Sequence, residues 1–172
     1  IPETSEGLRF CLGAYEGPHM NRRVLVIYGT RPEAVKVAPL IRALQQTSVL
    51  ECVTAVTGQH REMLDQVNEV FGIVPDHDLD LFEAGQSLNK LSSKVFAATD
   101  DLIATVDPAA IVVQGDTTTV AMAAIAGFNR RIPVVHLEAG LRSGDIDSPF
   151  PGEATRKPPG QAAALPLAPL AR

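Results

Sequence analysis

The chain has 172 residues, of which 45% are hydrophobic and 20% charged, enough to bury one full core and so to form one globular domain. Its formal net charge of −5 and dispersed basic residues argue against a nucleic-acid or membrane-surface partner, and no apolar run approaches the ~20 residues of a bilayer span. The two cysteines, Cys11 and Cys52, show neither metal-ligand spacing nor a paired framework, which points to a reducing compartment, by default the cytoplasm.

Residues 1–19 carry no strand or helix periodicity, and Gly17-Pro18-His19-Met20 resembles the scar of a protease site joined to a cloned start codon. They are expected to be a tag remnant or a disordered extension, with Met20 as the native start. From Arg22 onward apolar runs alternate with amphipathic stretches, the signature of βα units feeding a parallel sheet. A β-branched run over 24–28 predicts a buried strand that stops at Gly29-Thr30-Arg31. Pro32 suits a first helical position for a helix over 32–46, and Pro39 is expected to kink or interrupt it. A second strand over 51–56 leads through Thr57-Gly58-Gln59-His60 to a helix with Met63, Val67, Val70 and Phe71 on one face.

An acidic, turn-rich connection through Asp76, Asp78 and Asp80 precedes Ser87, which caps a long helix whose apolar face includes Leu88, Leu91, Val95 and Leu102. The strand over 109–114 ends at Gly115-Asp116-Thr117-Thr118-Thr119; a small-residue helix over 120–128 then leads to a strand over 132–137 that ends at Glu138-Ala139-Gly140. In the closing segment, 157–172, Pro158, Pro159, Pro166 and Pro169 are spaced so that no ordinary helix runs through it, and an irregular proline-rich tail is expected.

In an open parallel sheet, ligands bind beyond the carboxyl ends of the strands, where helix amino-termini and free amides converge. That rule gathers four loops: Thr30, Arg31 and Glu33; Gln59, His60 and Arg61; Asp116 to Thr119; and Glu138, Arg142 and Ser143. Such a mixture of cations and carboxylates suits a ligand with phosphate and sugar hydroxyls. Each loop also has a plainer reading. The first can be a tight turn with Glu33 at the positive end of a helix dipole, the second a solvated helix start, and Asp116 a helix cap. Glu138 follows the apolar run Pro133-Val134-Val135-His136-Leu137, so an uncompensated charge there is expensive, and a partner or a task is implied.

Four stretches in order carry a family resemblance: Gly29-Thr30-Arg31-Pro32-Glu33; the ten residues from Thr57 to Gln66; Gly115-Asp116-Thr117-Thr118-Thr119; and the ten from His136 to Asp145. Together they resemble signature stretches of non-hydrolysing UDP-N-acetylglucosamine 2-epimerases. The resemblance implies an α/β fold, a Rossmann-like parallel sheet with flanking helices that forms the amino-terminal half of a glycosyltransferase-B-type two-domain structure. Residues 20–156 would be that domain, and the second, UDP-binding domain is absent. It also implies interconversion of UDP-N-acetylglucosamine and UDP-N-acetylmannosamine by elimination and re-addition of UDP, without metal or other cofactor, in an enzyme that is a homodimer at full length.

By the same resemblance Asp116, Glu138 and Glu153 are the candidate acid/base groups, and Arg31, Thr117 and Arg142 the candidate substrate contacts. Gln59 and His60 are candidate contacts to a second, activating UDP-N-acetylglucosamine. After Ser148-Pro149-Phe150-Pro151 the family usually continues with two glutamates, then an asparagine and an arginine, where this chain reads Gly152-Glu153-Ala154-Thr155-Arg156. Gly152 stands where the family has a catalytic carboxylate, and Glu153 could replace it only through a one-residue shift of the loop. The chain alone is therefore expected to be inactive. The competing expectation is a degenerate or truncated domain that binds sugar nucleotide, or a partner, without catalysis.

Overall fold

The computed structural model describes residues 23–58, 61–140, 143–148 and 150–167. Six parallel strands, β1 (Arg23–Tyr28), β2 (Glu51–Val56), β3 (His77–Asp78), β4 (Ala110–Gln114), β5 (Val134–Leu137) and β6 (Leu165–Leu167), form one sheet in the order β3-β2-β1-β4-β5-β6. Five helices accompany them: α1 (Arg31–Gln45), α2 (Arg61–Phe71), α3 (Leu88–Val106), α4 (Thr118–Asn129) and α5 (Gly152–Ala162). Building outward in one direction and then restarting beside β1 places the reversal of strand order between β1 and β4. At such a reversal neighbouring connections leave on opposite faces, the topology that opens a crevice at the carboxyl edge of a parallel sheet.

Strand alternation sorts the core into two layers. Val24, Val26 and Tyr28 face the side covered by Val37, Ile41 and Leu44 of α1 and Leu64 of α2, while Leu25 and Ile27 face Leu102, Ile103 and Val106 of α3 and Val120, Ala123 and Ala124 of α4. Both faces are covered, so the central strands read as continuous apolar runs. Small residues on α4 let its backbone approach the sheet. A Cβ added at Gly127 would stand 2.9 Å from both Ile111 Cδ1 and Val134 Cγ2.

The four strands foreseen from the sequence are present, with boundaries shifted by at most two residues, and the parallel α/β architecture holds. Other expectations need correction. α1 runs unbroken through Pro39. The carbonyl deprived of its donor belongs to Val35, four residues back on the exposed side of the helix, where it is not buried without a donor and the cost of the lost bond is small. On α2 the buried positions are Leu64 and Asn68, while Met63 and Val70 are exposed. Leu88 likewise stays outside the buried face of α3, which runs through Leu91, Val95 and Leu102.

The expected irregular tail over 157–172 is overturned as far as residue 167, because α5 passes through Pro158 and Pro159 and β6 then adds to the sheet. Proline's fixed φ is itself helical, so its cost is the missing donor and the crowding of its ring against the carbonyl four residues back, and α5 is held to the rest of the fold through Glu153 to Ser143 and through Thr155 and Arg156 to Asp116. Thr155 N donates to Pro151 O at 3.0 Å and Ala163 N to Pro159 O at 2.8 Å, with Pro159 buried. Pro166 is tolerated because β6 is an edge strand, where a missing ladder donor need leave no acceptor unpaired. The domain thus continues past the boundary drawn at residue 156. Residues 1–22 and 168–172 lie outside the described residues.

Gly127→Val should overpack the contact between α4 and the sheet and lower stability by about 1–3 kcal/mol, measured by urea unfolding. A change within experimental error would show that this approach is loose.

Candidate active site

The carboxyl edge is organised around a buried carboxylate. Glu33 lies in the first turn of α1, and its Oε2 accepts hydrogen bonds from Gly29 N at 2.6 Å and Thr30 N at 3.0 Å. Its Oε1 accepts from Thr117 Oγ1 at 2.6 Å. The first loop is thereby tied to the third across the reversal between β1 and β4. Burial pushes the Glu33 carboxyl above its ordinary range; the bonds from Thr117, Gly29 and Thr30 oppose that rise, and the Asp116 charge adds to it.

Loops two and three are joined by the Thr57 and Thr119 hydroxyls, 2.9 Å apart and buried. A Cβ at position 29 would stand 2.2 Å from Thr57 Oγ1 and 2.8 Å from Thr119 Oγ1, so only glycine leaves room for that pair. The helix cap on α4 is Thr117, whose Oγ1 accepts from Val120 N, and not Asp116. This frees Asp116 to face elsewhere. Its carboxylate pairs with Arg156 Nη2 and its carbonyl accepts from Thr155 Oγ1, so α5 clamps the third loop.

Glu138 stands just beyond β5 with a left-handed backbone, φ 62°, a conformation that costs on the order of 1–3 kcal/mol outside glycine. Its Oε2 accepts from Gln114 Nε2 and Lys36 Nζ, each at 2.6 Å. The partner implied by the burial argument is therefore Lys36, together with the fully buried Gln114 at the end of β4. Beneath them His136 Nε2 lies 2.7 Å from Gly115 O, which braces the loop that carries Asp116.

Glu153, in the first turn of α5, is buried and accepts from Ser143 N at 3.0 Å. Arg31 is exposed at the start of α1 on the same edge. Gln59, His60 and Arg142 lie outside the described residues. Arg61, next to the second loop, is held by Asp78, by Asp80 at 2.9 Å and by Asp65 at 4.0 Å.

Lys36 and Gln114 were not among the residues singled out for chemistry, and Glu33 was gathered with the first loop without a role of its own. Glu33 read as an ordinary helix-dipole acid, since a carboxylate in a first turn usually is one. Lys36 sits five residues into a helix, and nothing in its spacing shows that it reaches an acid 102 residues away. Among the described residues no group of three or more His, Cys, Asp or Glu side chains is placed to hold a metal ion, and no helix is long and apolar enough to cross a membrane.

Residues 42–172 match the family model described as UDP-N-acetylglucosamine 2-epimerase. The chain belongs to the UDP-N-acetylglucosamine 2-epimerase family. It is 48% identical over 147 residues to the UDP-N-acetylglucosamine 2-epimerase of Yersinia pestis, covering 86% of this chain and 39% of the relative. With the Escherichia coli K12 enzyme it shares 48% over 134 residues, covering 78% and 36%. A solved structure of the Neisseria meningitidis UDP-GlcNAc 2-epimerase, bound to UDP-GlcNAc, superimposes with a TM-score of 0.78 at 41% identity, covering 82% of this chain and 39% of that one. The fold alone is shared with Acinetobacter baumannii MurG, at a TM-score of 0.64 and 13% identity, over 88% of this chain and 44% of that one. The chain spans about two fifths of the length of the curated epimerases it matches.

The raised titration of Glu33 has a definite sign. Between its ordinary value of 4.5 and its higher folded value, the native state binds more protons than the unfolded chain, so stability falls as pH rises through that window. Glu33→Gln should remove this fall, and thermal unfolding across the window should show the variant gaining on the wild type as pH increases. A difference that does not vary with pH would contradict the assignment.

Proposed function

We propose that this chain supplies the amino-terminal half of an enzyme interconverting UDP-N-acetylglucosamine and UDP-N-acetylmannosamine. The observation that carries the reading is a pair of carboxylates, Asp116 and Glu138, just beyond the adjacent strands β4 and β5, each held by a cation, Arg156 and Lys36. Removing the proton from C2 of the sugar is unfavourable until the anomeric C–O bond to UDP begins to break. A base and stabilisation of the departing diphosphate must therefore act together. As the proton leaves, the C1–O bond breaks, a C1=C2 double bond forms and UDP departs. Re-addition of UDP at C1 with protonation of C2 from the opposite face gives the epimer.

Asp116 and Glu138 are the groups proposed to exchange these protons, and Arg31, exposed on the same edge, to meet the substrate's charge. Thr117 and Arg142 are proposed as further substrate contacts, and Gln59 and His60 as contacts to a second nucleotide sugar. A second domain of the full-length protein is proposed to supply most of the uridine and diphosphate contacts, and that protein is proposed to be a cytoplasmic homodimer. Glu153 can join the acid/base set only by giving up its bond from Ser143 N, and Gly152 brings no titratable side chain. Those two facts favour a second reading, in which the chain binds nucleotide sugar or a partner without turning it over.

Proton NMR of the chain with excess UDP-N-acetylglucosamine in heavy water tests whether this half binds the nucleotide sugar and whether it turns it over by itself. We expect line broadening of the nucleotide sugar without loss of its C2 proton. Deuterium at C2 would show that the chain is itself a catalyst, and unbroadened resonances would remove nucleotide-sugar binding by this half alone.

A further inference from the structure

Of the three consecutive threonines after Asp116, Thr118 and Thr119 are buried, and only Thr117 is partly open at the crevice between β1 and β4. Its hydroxyl has one hydrogen to donate and two lone pairs to offer. Once the Glu33 carboxyl is ionised, that single hydrogen is committed. Glu33 Oε2 already faces two backbone N–H groups, which can only donate, and Oε1 receives the Thr117 hydroxyl at 2.6 Å. One lone pair of Thr117 takes the long capping bond from Val120 N, 3.4 Å. Among the described residues no hydrogen bond occupies the other, and the residue is partly exposed.

We infer that Glu33 is a positioning residue that turns the Thr117 hydroxyl hydrogen inward, so that Thr117 meets the ligand as an acceptor and takes a sugar hydroxyl or acetamido N–H, not the diphosphate. The inference rests on the reading that this edge binds a nucleotide sugar, and it assigns the part of the ligand that lies at the β1–β4 crevice. Phosphate oxygens near neutral pH only accept hydrogen bonds, so at Thr117 they would face a lone pair. A hydroxyl or amide of the hexose can donate there. The carboxylate thus sets the hydrogen-bonding polarity of the crevice without touching the ligand.

Glu33→Gln inverts this arrangement. The two backbone amides require an oxygen, so the new NH2 group falls opposite Thr117 and donates to it, which turns the threonine hydrogen outward. In the ligand-free chain at pH 7, proton NMR should show a slowly exchanging Thr117 hydroxyl in the wild type that is lost in Glu33→Gln. Rapid exchange in both would overturn the inference whether or not any nucleotide binds.

Binding gives the second readout, with UDP-N-acetylglucosamine and UDP as the probes. Thr117→Val should weaken UDP-N-acetylglucosamine by about fivefold, the worth of one neutral hydrogen bond, and leave UDP unchanged, while Thr117→Ser restores wild-type binding. Should Glu33→Gln fail to fold, these two variants still decide the matter. Equal weakening of UDP and UDP-N-acetylglucosamine by Thr117→Val would place the diphosphate at Thr117 and overturn the inference. If the wild-type chain binds neither probe, the nucleotide-sugar reading of this half fails, and the hydroxyl exchange alone then judges the role of Glu33.

Discussion

The hydrogen bonds that Glu33 accepts from Gly29, Thr30 and Thr117 are the contacts on which the geometry of the site depends. They bridge the reversal of strand order, where the backbone diverges to opposite faces of the sheet and leaves a crevice that nothing else in the ladder closes. A carboxylate buried there is costly unless it is saturated with donors. Saturation in turn fixes both the loop before α1 and the start of α4. The Thr57–Thr119 pair, the Gln114–Glu138 bond and the clamp of α5 on Asp116 extend that order to the neighbouring loops.

Charge at this edge is balanced locally. Glu138 is set against Lys36 and Asp116 against Arg156, so two carboxylates stand at the ends of adjacent strands, each beside its own cation. Such an arrangement suits a ligand that brings anionic phosphate to one side and weakly acidic C–H chemistry to the other. Gly152 removes a carboxylate that the family resemblance places here. Glu153, one residue later, is turned to Ser143. The fold of the site is therefore kept while part of the expected proton inventory is changed.

Much of the fold was legible in the sequence. Runs of β-branched residues that end in glycine-containing loops mark β1, β2, β4 and β5, because strands buried on both faces carry little else. β3 is two residues long and sits in an acidic connection, and β6 contains a proline, so neither has the apolar run that announces a strand. α5 was hidden by Pro158 and Pro159, whose cost is outweighed by tertiary anchors that no local pattern reports. At the site, Asp116 and Glu138 stood out by their place after strands. Lys36 did not, and Glu33 was gathered with its loop but not as the group that joins two loops, since these contacts span 102 and 84 residues of chain.

The central claim is that the carboxyl edge, and no other face, is where this chain meets a nucleotide sugar. Mapping backbone amide shifts while titrating UDP-N-acetylglucosamine tests it most directly. The account predicts perturbations at Gly29, Thr30, residues 115–119 and Glu138, with none at Arg23, Glu51 or Asp76 on the opposite edge of the sheet. Perturbations centred on Arg23, Glu51 and Asp76 would contradict it.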